Sequence, residues 1–265
     1  MYFQKEPLVV RLSRLAETGR TGVLRVSGEH GGAIHLSEGE IVYAESRRTP
    51  DPSRWFARLS GLGAGLAADL GTGSAADLGA DATPAPEHPD AGGLARAFAL
   101  REATLDAALE LLSAPPRYAL RQRFRESEPP MMDTPGGMPL AELLAEVTRR
   151  QELVKQMAES AVPLTADTPL VRVPDIDSPR LQVSALQWAL LIRVHGHATP
   201  RELAWEIGNS VFGTTLEVFR LIALGFLTVA GRPAPSQASP PREPGGGGAG
   251  FGGRPMVSFL RAVTG

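Results

Sequence analysis

Apolar and polar residues alternate through positions 21–46, TGVLRVSGEHGGAIHLSEGEIVYAES, the period-two spacing of a half-buried sheet. Leu24 with Val26, Ile34 with Leu36, and Ile41 with Tyr43 mark three antiparallel strands, expected over 21–26, 33–36 and 41–45. Gly31 and Gly32 are expected to supply positive φ in the first turn. Ser37-Glu38-Gly39 reads as a three-residue hairpin loop with Gly39 left-handed. Upstream, Leu8, Leu12, Leu15 and Ala16 recur at helical spacing between Pro7, suited to a helix start, and Gly19, suited to its end. Downstream, residues 52–59 read as a short helix carrying Trp55, Phe56 and Leu59. Residues 94–113 form a longer helix with Phe98, Leu105, Leu109 and Leu112 on one side, and Pro115-Pro116 stops it. A last strand is expected over 118–125. Tyr43, Trp55 and Trp205 are expected in cores.

Between and beyond these elements the pattern changes. Residues 61–93 are rich in Gly, Ala, Asp and Pro, echo themselves in AADLGTGSAADLG, and read as a disordered insertion. Residues 127–137 form a Pro/Gly linker. Residues 139–161 predict a helix with Leu140, Leu144, Val147, Val154 and Ala158 near heptad places, interrupted by Gln151. That seam is expected to pack on the module that follows, and a homodimer through 139–161 is its other use. Three helices then start legibly: Ser184-Ala185-Leu186-Gln187 and Thr199-Pro200-Arg201-Glu202 spell capping boxes, and Thr214-Thr215-Leu216-Glu217 repeats the logic before 216–224. A strand over 226–229 completes the order of a winged-helix-like domain. The tail, 231–265, is Pro/Ser/Gly low complexity ending in an apolar cluster of Met256, Val257, Phe259, Leu260 and Val263. Phe259 and Leu260 are candidate contacts, on a partner's groove or on the chain's own domain.

The expected fold class is therefore α+β. A small antiparallel sheet with packed helices occupies 1–126, a connecting helix and mainly helical winged-helix-like domain 138–230, and a disordered tail the rest.

Charge is nearly balanced, 27 Lys+Arg against 29 Asp+Glu, so no global field argues for nucleic acid or an anionic membrane. The absence of cysteine excludes disulfides, thiolate metal sites and cysteine nucleophiles, and fits a cytoplasmic location. No signal-peptide pattern opens the chain, and no apolar run is long enough to cross a membrane.

The residues that carry the sheet also carry a resemblance. A leading amphipathic helix, Arg20-Thr21-Gly22-Val23-Leu24, a Gly-flanked second strand and Glu38-Gly39-Glu40-Ile41-Val42-Tyr43-Ala44 resemble the PATAN domain, the N-terminal domain of PatA-like bacterial response regulators. The resemblance covers residues 5–60 and, more loosely, 95–125. It implies a small α+β protein-interaction domain in bacterial signalling, with a small GTPase or a response-regulator pathway component as partner, and it implies no catalytic residues.

Chemistry is sparse elsewhere. Arg117, Arg121, Arg123 and Arg125 cluster in RYALRQRFR, and strand alternation puts the last three on one face, opposite Leu120 and Phe124. Arg121, Arg123 and Arg125 are candidate contacts for an acidic partner; the alternative is the solvated face of an edge strand. His195-Gly196-His197 is the one HxH, and no third ligand accompanies it. The glycine runs lack the strand before and the Lys-Ser/Thr after that cradle phosphate, so no cofactor is expected. The third helix of the second module, TTLEVFRLIALG, offers one base, Arg220, beside Glu217, little for a DNA-reading helix. The chain reads as a non-catalytic adaptor, with a winged-helix DNA-binding regulator as the second reading.

Overall fold

The computed structural model describes residues 6–54, 91–113, 121–128, 136–160, 163–174 and 182–231. The expected helix beyond Arg54 with Trp55, most of the insertion, Leu120, residues 129–135 of the linker, and Phe259 and Leu260 in the tail lie outside them. The fold is α+β, and the chain divides into two compact units: Met1–Leu153 with Ala204–Phe212, and Val154–Leu203 with Gly213–Gly265.

The first unit is built on a four-stranded antiparallel sheet in the order β3-β2-β1-β4. Its strands are β1 (Gly22–Ser27), β2 (Gly32–Ser37), β3 (Glu40–Ser46) and β4 (Arg121–Glu126). Helix α1 (Leu8–Glu17) precedes them. Its end is a Schellman motif: Gly19, at φ 61°, and Arg20 donate to Ala16 O and Leu15 O. The β2–β3 loop differs from expectation. Ser37 pairs with Glu40, leaving a two-residue turn, Glu38-Gly39, with φ of 51° and 85°. Two positive φ values are what a type I′ turn requires. Glu38 takes that conformation without being glycine, with its N–H held by Thr21 Oγ1 at 2.9 Å. In the β1–β2 turn the positive φ falls on Gly28, not on Gly31 or Gly32. Gly32 serves a close approach instead, since a Cβ there would sit 2.0 Å from Glu45 O.

One sheet face carries Leu24, Val26, Ile34, Leu36, Ile41 and Ala44 into a core with Leu8 and Leu12 of α1 and Leu105, Ala108 and Leu111 of α2 (Ala91–Leu112). Helix α2 starts at Ala91, three residues before the position that apolar spacing suggested. Helix α3 (Leu140–Ser160) corrects a second expectation. Leu143 and Val147 are buried in this same core and Leu140 packs against it, so the front of the seam closes the first unit and not a following module. Met138 fixes the approach by exchanging two backbone hydrogen bonds with Ile41, at 2.8 and 2.9 Å.

A buried polar knot completes the unit. Arg150 of α3, with its side chain 4% exposed, donates to both carboxylate oxygens of Glu102 at 2.8–2.9 Å and to Glu146 at 2.8 Å. Its guanidinium lies 4.7 Å from the centroid of the Phe212 ring. One turn along α2 from Glu102, Asp106 is buried and accepts from Ser210 Oγ at 3.0 Å, Val211 N at 2.6 Å and Phe212 N at 3.0 Å.

Those contacts explain where helix α6 (Val211–Ala223) begins. The Thr214-Thr215 start expected from sequence is overturned: both threonines lie inside the helix and are buried. The cap is a carboxylate from another helix, 105 residues away along the chain.

The second unit carries a two-stranded antiparallel sheet, β5 (Leu170–Arg172) with β6 (Leu227–Val229). Helix α4 (Ala185–Arg193) opens with the expected capping box, Ser184 and Gln187 bonding reciprocally. Helix α5 (Pro200–Ile207) opens as spelled: Thr199 N donates to Glu202 and Glu202 N to Thr199 Oγ1. Strand β5 has no counterpart in the sequence reading. Among the described residues no helix is long and apolar enough to cross a membrane.

Burial pushes the Asp106 carboxyl up to about 6, against the pull of its three donors and of Arg150. A carboxyl raised in the folded state stabilises fully below its unfolded value near 3.8 and loses that contribution as pH rises through 6. The stability of the native chain minus that of Asp106→Asn is therefore expected to grow by about 2–3 kcal/mol between pH 8 and pH 4 in urea titrations. A difference flat with pH, or growing toward high pH, would contradict this account of Asp106. Asp106→Ala, which strands all three donors, is expected to cost about 3–5 kcal/mol at pH 7.

Candidate protein-interaction surface

Strand β4 reaches the sheet from about a hundred residues downstream of its neighbour, in the register Gly22↔Glu126, Leu24↔Phe124, Val26↔Gln122. Alternation then does what the sequence suggested. Phe124 packs against the core, while Arg121, Arg123 and Arg125 are exposed on the other face. The register adds a fourth arginine that sequence alone did not nominate, because Arg25 of β1 stands directly opposite Arg123. Like charges in directly opposed positions destabilise a strand pair. Glu128 relieves part of this repulsion: it accepts from Arg25 and lies 3.8 Å from Arg125. Arg121 and Arg123 have no ion-pair partner among the described residues.

Among the described residues, no strand pairs with the outer edge of β4. Ser127 N donates to Thr21 O at 3.1 Å, so the odd-numbered residues of this strand turn their backbone toward β1. Gln122, Phe124 and Glu126 consequently turn theirs away from the sheet. Arg11 of α1 donates to Gln122 O at 3.0 Å, and Gln122 Nε2 donates to Glu6 O, which covers one end of that row. The opposite edge, β3, is closed by Met138 at Ile41 and by Thr104 Oγ1, which lies 3.4 Å from Ala44 N.

The same sheet face holds a buried histidine. His35 of β2 lies beside Val23 and Tyr43 in register, with its ring centroid 5.8 Å from that of Tyr43. Burial first, and the positive charge of Arg25 second, hold its imidazole below the ordinary value of 6.5, while Glu128 pulls the other way. Its Nδ1 has no hydrogen-bond partner among the described residues. Tyr43 is buried, as expected, and burial raises its phenol. Trp205 is only half-buried; Arg54 donates to its carbonyl at 2.9 Å and lies 5.8 Å from its ring.

Next to the arginine stripe is a recess of about 670 Å³ lined by Glu38, Glu40 and Glu128 with Thr21, Val42 and Ser127. Glu38 and Ser127 are the two non-glycine residues with positive φ among those described, and both line it. Glu128 therefore stands between a basic edge and an acid-rimmed hollow. Among the described residues, no group of three His, Asp or Glu side chains is placed to hold a metal ion.

The third helix of the second unit offers less charge to a partner. Arg220 pairs with Glu217 at 2.5 Å, and Glu217 also accepts from Gln187 at 3.1 Å. Arg201 is held by Asp167 in a two-point contact at 2.7 and 3.1 Å. The candidate stripe Arg121, Arg123 and Arg125 is thus assembled on one face, joined by Arg25. Comparison with protein-family models, with curated proteins and with solved structures finds no match to this chain.

The electrostatics of the stripe are open to a direct check through His35. Replacing Arg25 by Met is expected to raise the imidazole titration midpoint toward 6.5, and Glu128→Gln to lower it further, as followed by imidazole carbon-proton NMR shifts. Movement in the reverse directions would show that the two charges do not act on His35 across this face.

Proposed function

We propose that the chain is a non-catalytic bacterial signalling adaptor that binds an acidic protein segment along β4. The observation that carries the reading is the row Arg121, Arg123 and Arg125 beside Arg25, on an edge strand whose outward backbone row is covered at only one end among the described residues. An edge strand offers backbone donors and acceptors to an added strand, and the arginine face selects the partner's charge. Arginine suits the task because its fork holds carboxylates in two-point contacts. The resemblance of residues 5–60 to the PATAN domain supports a signalling role and makes a small GTPase or a response-regulator component the partner class. A DNA-binding use of the helical module is the second reading; the internal pairing of Arg220 with Glu217 weighs against it.

The two readings separate in one set of binding measurements. The chain carrying Arg121→Glu, Arg123→Glu and Arg125→Glu is expected to keep the thermal midpoint of the native chain within a few degrees, since exposed charges contribute little to stability. Cross-linking capture from bacterial extract, quantified by mass spectrometry, is expected to recover an acidic protein with the native chain and roughly tenfold less with the triple variant. That loss corresponds to about 1.4 kcal/mol. Equal capture by both chains would remove the stripe from the function. Salt-sensitive binding of duplex DNA that survives the triple substitution and is lost on Arg220→Ala would favour the second reading.

A further inference from the structure

Helix α4 is apolar on two opposite sides. Leu190 is fully buried and Leu186 half-buried, which anchors one side in the second unit. On the other side Ala185, Trp188 and Ile192 recur at spacings of three and four, the spacing of one helix face. Trp188 is 59% exposed and Ile192 42% exposed. The polar side chains of the helix are committed elsewhere. Gln187 closes the capping box and donates to Glu217, and Arg193 donates back to Ala189 O at 3.0 Å. A helix that is apolar around its girth is ordinarily covered, and an exposed tryptophan is the side chain with most to gain from cover.

We propose that the cover is the chain's own segment 256–263, docked in cis on the Ala185–Trp188–Ile192 face. β6 ends at Val229, and the last described residue is Gly231. The next 24 residues, 232–255, hold a single large apolar side chain, Phe251. Then Met256, Val257, Phe259, Leu260 and Val263 follow within one short stretch. Such a patterned cluster beyond a Pro/Gly/Ser spacer has the composition of a tethered ligand. Reach sets no obstacle: 24 residues span at most roughly 80 Å. A body the size of the second unit has a radius of gyration of roughly 12 Å. Tethering presents the segment at an effective concentration on the order of millimolar, so an apolar contact too weak to persist between separate molecules becomes populated. Phe259 and Leu260 are thereby assigned to a helix face on their own chain.

The chain contains no cysteine, so Ser258→Cys gives one attachment point for a nitroxide in the otherwise intact protein. The indole N–H signal of Trp188, assigned with Trp188→Phe, is expected to lose most of its intensity while the label is oxidised and to regain it on reduction by ascorbate. Adding Phe259→Ser and Leu260→Ser to the labelled chain is expected to restore the signal without reduction. An unbroadened Trp188 signal in the labelled chain would overturn the proposal and leave the face to a separate protein. Broadening of isotope-labelled, nitroxide-free chain by an added nitroxide-labelled copy would overturn it in favour of a second copy as occupant.

Discussion

The pairing of β4 with β1 is the constraint on which the displayed surface depends. It brings a strand from about a hundred residues downstream onto the sheet, and it does so in a register that sets Arg123 against Arg25. Two guanidinium groups opposed there repel each other. The pair persists because Phe124, one position along, packs against the core beside its cross-strand partner Leu24, and because Glu128 bonds Arg25. Apolar burial on one face holds in place a charge arrangement on the other. The two edges of the sheet are treated differently as well. β3 is closed by a backbone bridge and a threonine hydroxyl, whereas among the described residues the outer row of β4 is met only near Gln122, by Arg11 and Glu6. Arginines on an edge strand keep identical copies apart, and the same arginines attract an extended segment of opposite sign.

Behind the sheet, the knot around Asp106 and Arg150 does for the helices what the β1–β4 register does for the strands. Helix α2 supplies Glu102 and Asp106 one turn apart; α3 supplies Glu146 and Arg150 at the same spacing. Arg150 is answered by two carboxylates, and Asp106 by two helix N–H groups and a hydroxyl, so each buried charge is met on several sides. Burying such groups costs more than leaving them in water unless the geometry is tight, and that geometry favours one arrangement over near alternatives. The raised Asp106 carboxyl is the trace of that cost. Phe212 beneath the guanidinium and the first turn of α6 on the carboxylate fix where that helix begins.

What the sequence made legible was local. Alternation located β1, β2 and β3 but put Ile41 and Tyr43 on one face of β3, whereas the register shift beside them sends Ile41 to the core and Tyr43 to the side of His35. Pro7 and Gly19 marked the limits of α1, and the capping boxes found the starts of α4 and α5. The odd-numbered arginines of β4 were placed on their correct face because period two needs no knowledge of the partner strand. The rest depended on contacts between distant residues. Thr214 and Thr215 have cap chemistry, yet Asp106 sets the start earlier, and nothing around position 214 encodes a carboxylate from α2. The front of α3 showed an apolar seam, but periodicity gives a face without its partner; Met138 bonding Ile41 decides it. Arg25 entered the surface only through register, and Glu128 only through its contact with Arg25 across the strand pair. The one available signal for Arg25 was its place between Leu24 and Val26, which sets it on the face opposite those two core residues.

The account rests on β4 being the surface that a partner covers, and amide hydrogen exchange of the chain free and bound to a captured acidic protein tests this most directly. Slowed exchange concentrated at the outward amides of Phe124 and Glu126, with the helix Val211–Ala223 unchanged, is the predicted result. Exchange at β4 unaltered by a partner that protects Val211–Ala223 or Ala185–Arg193 would contradict it.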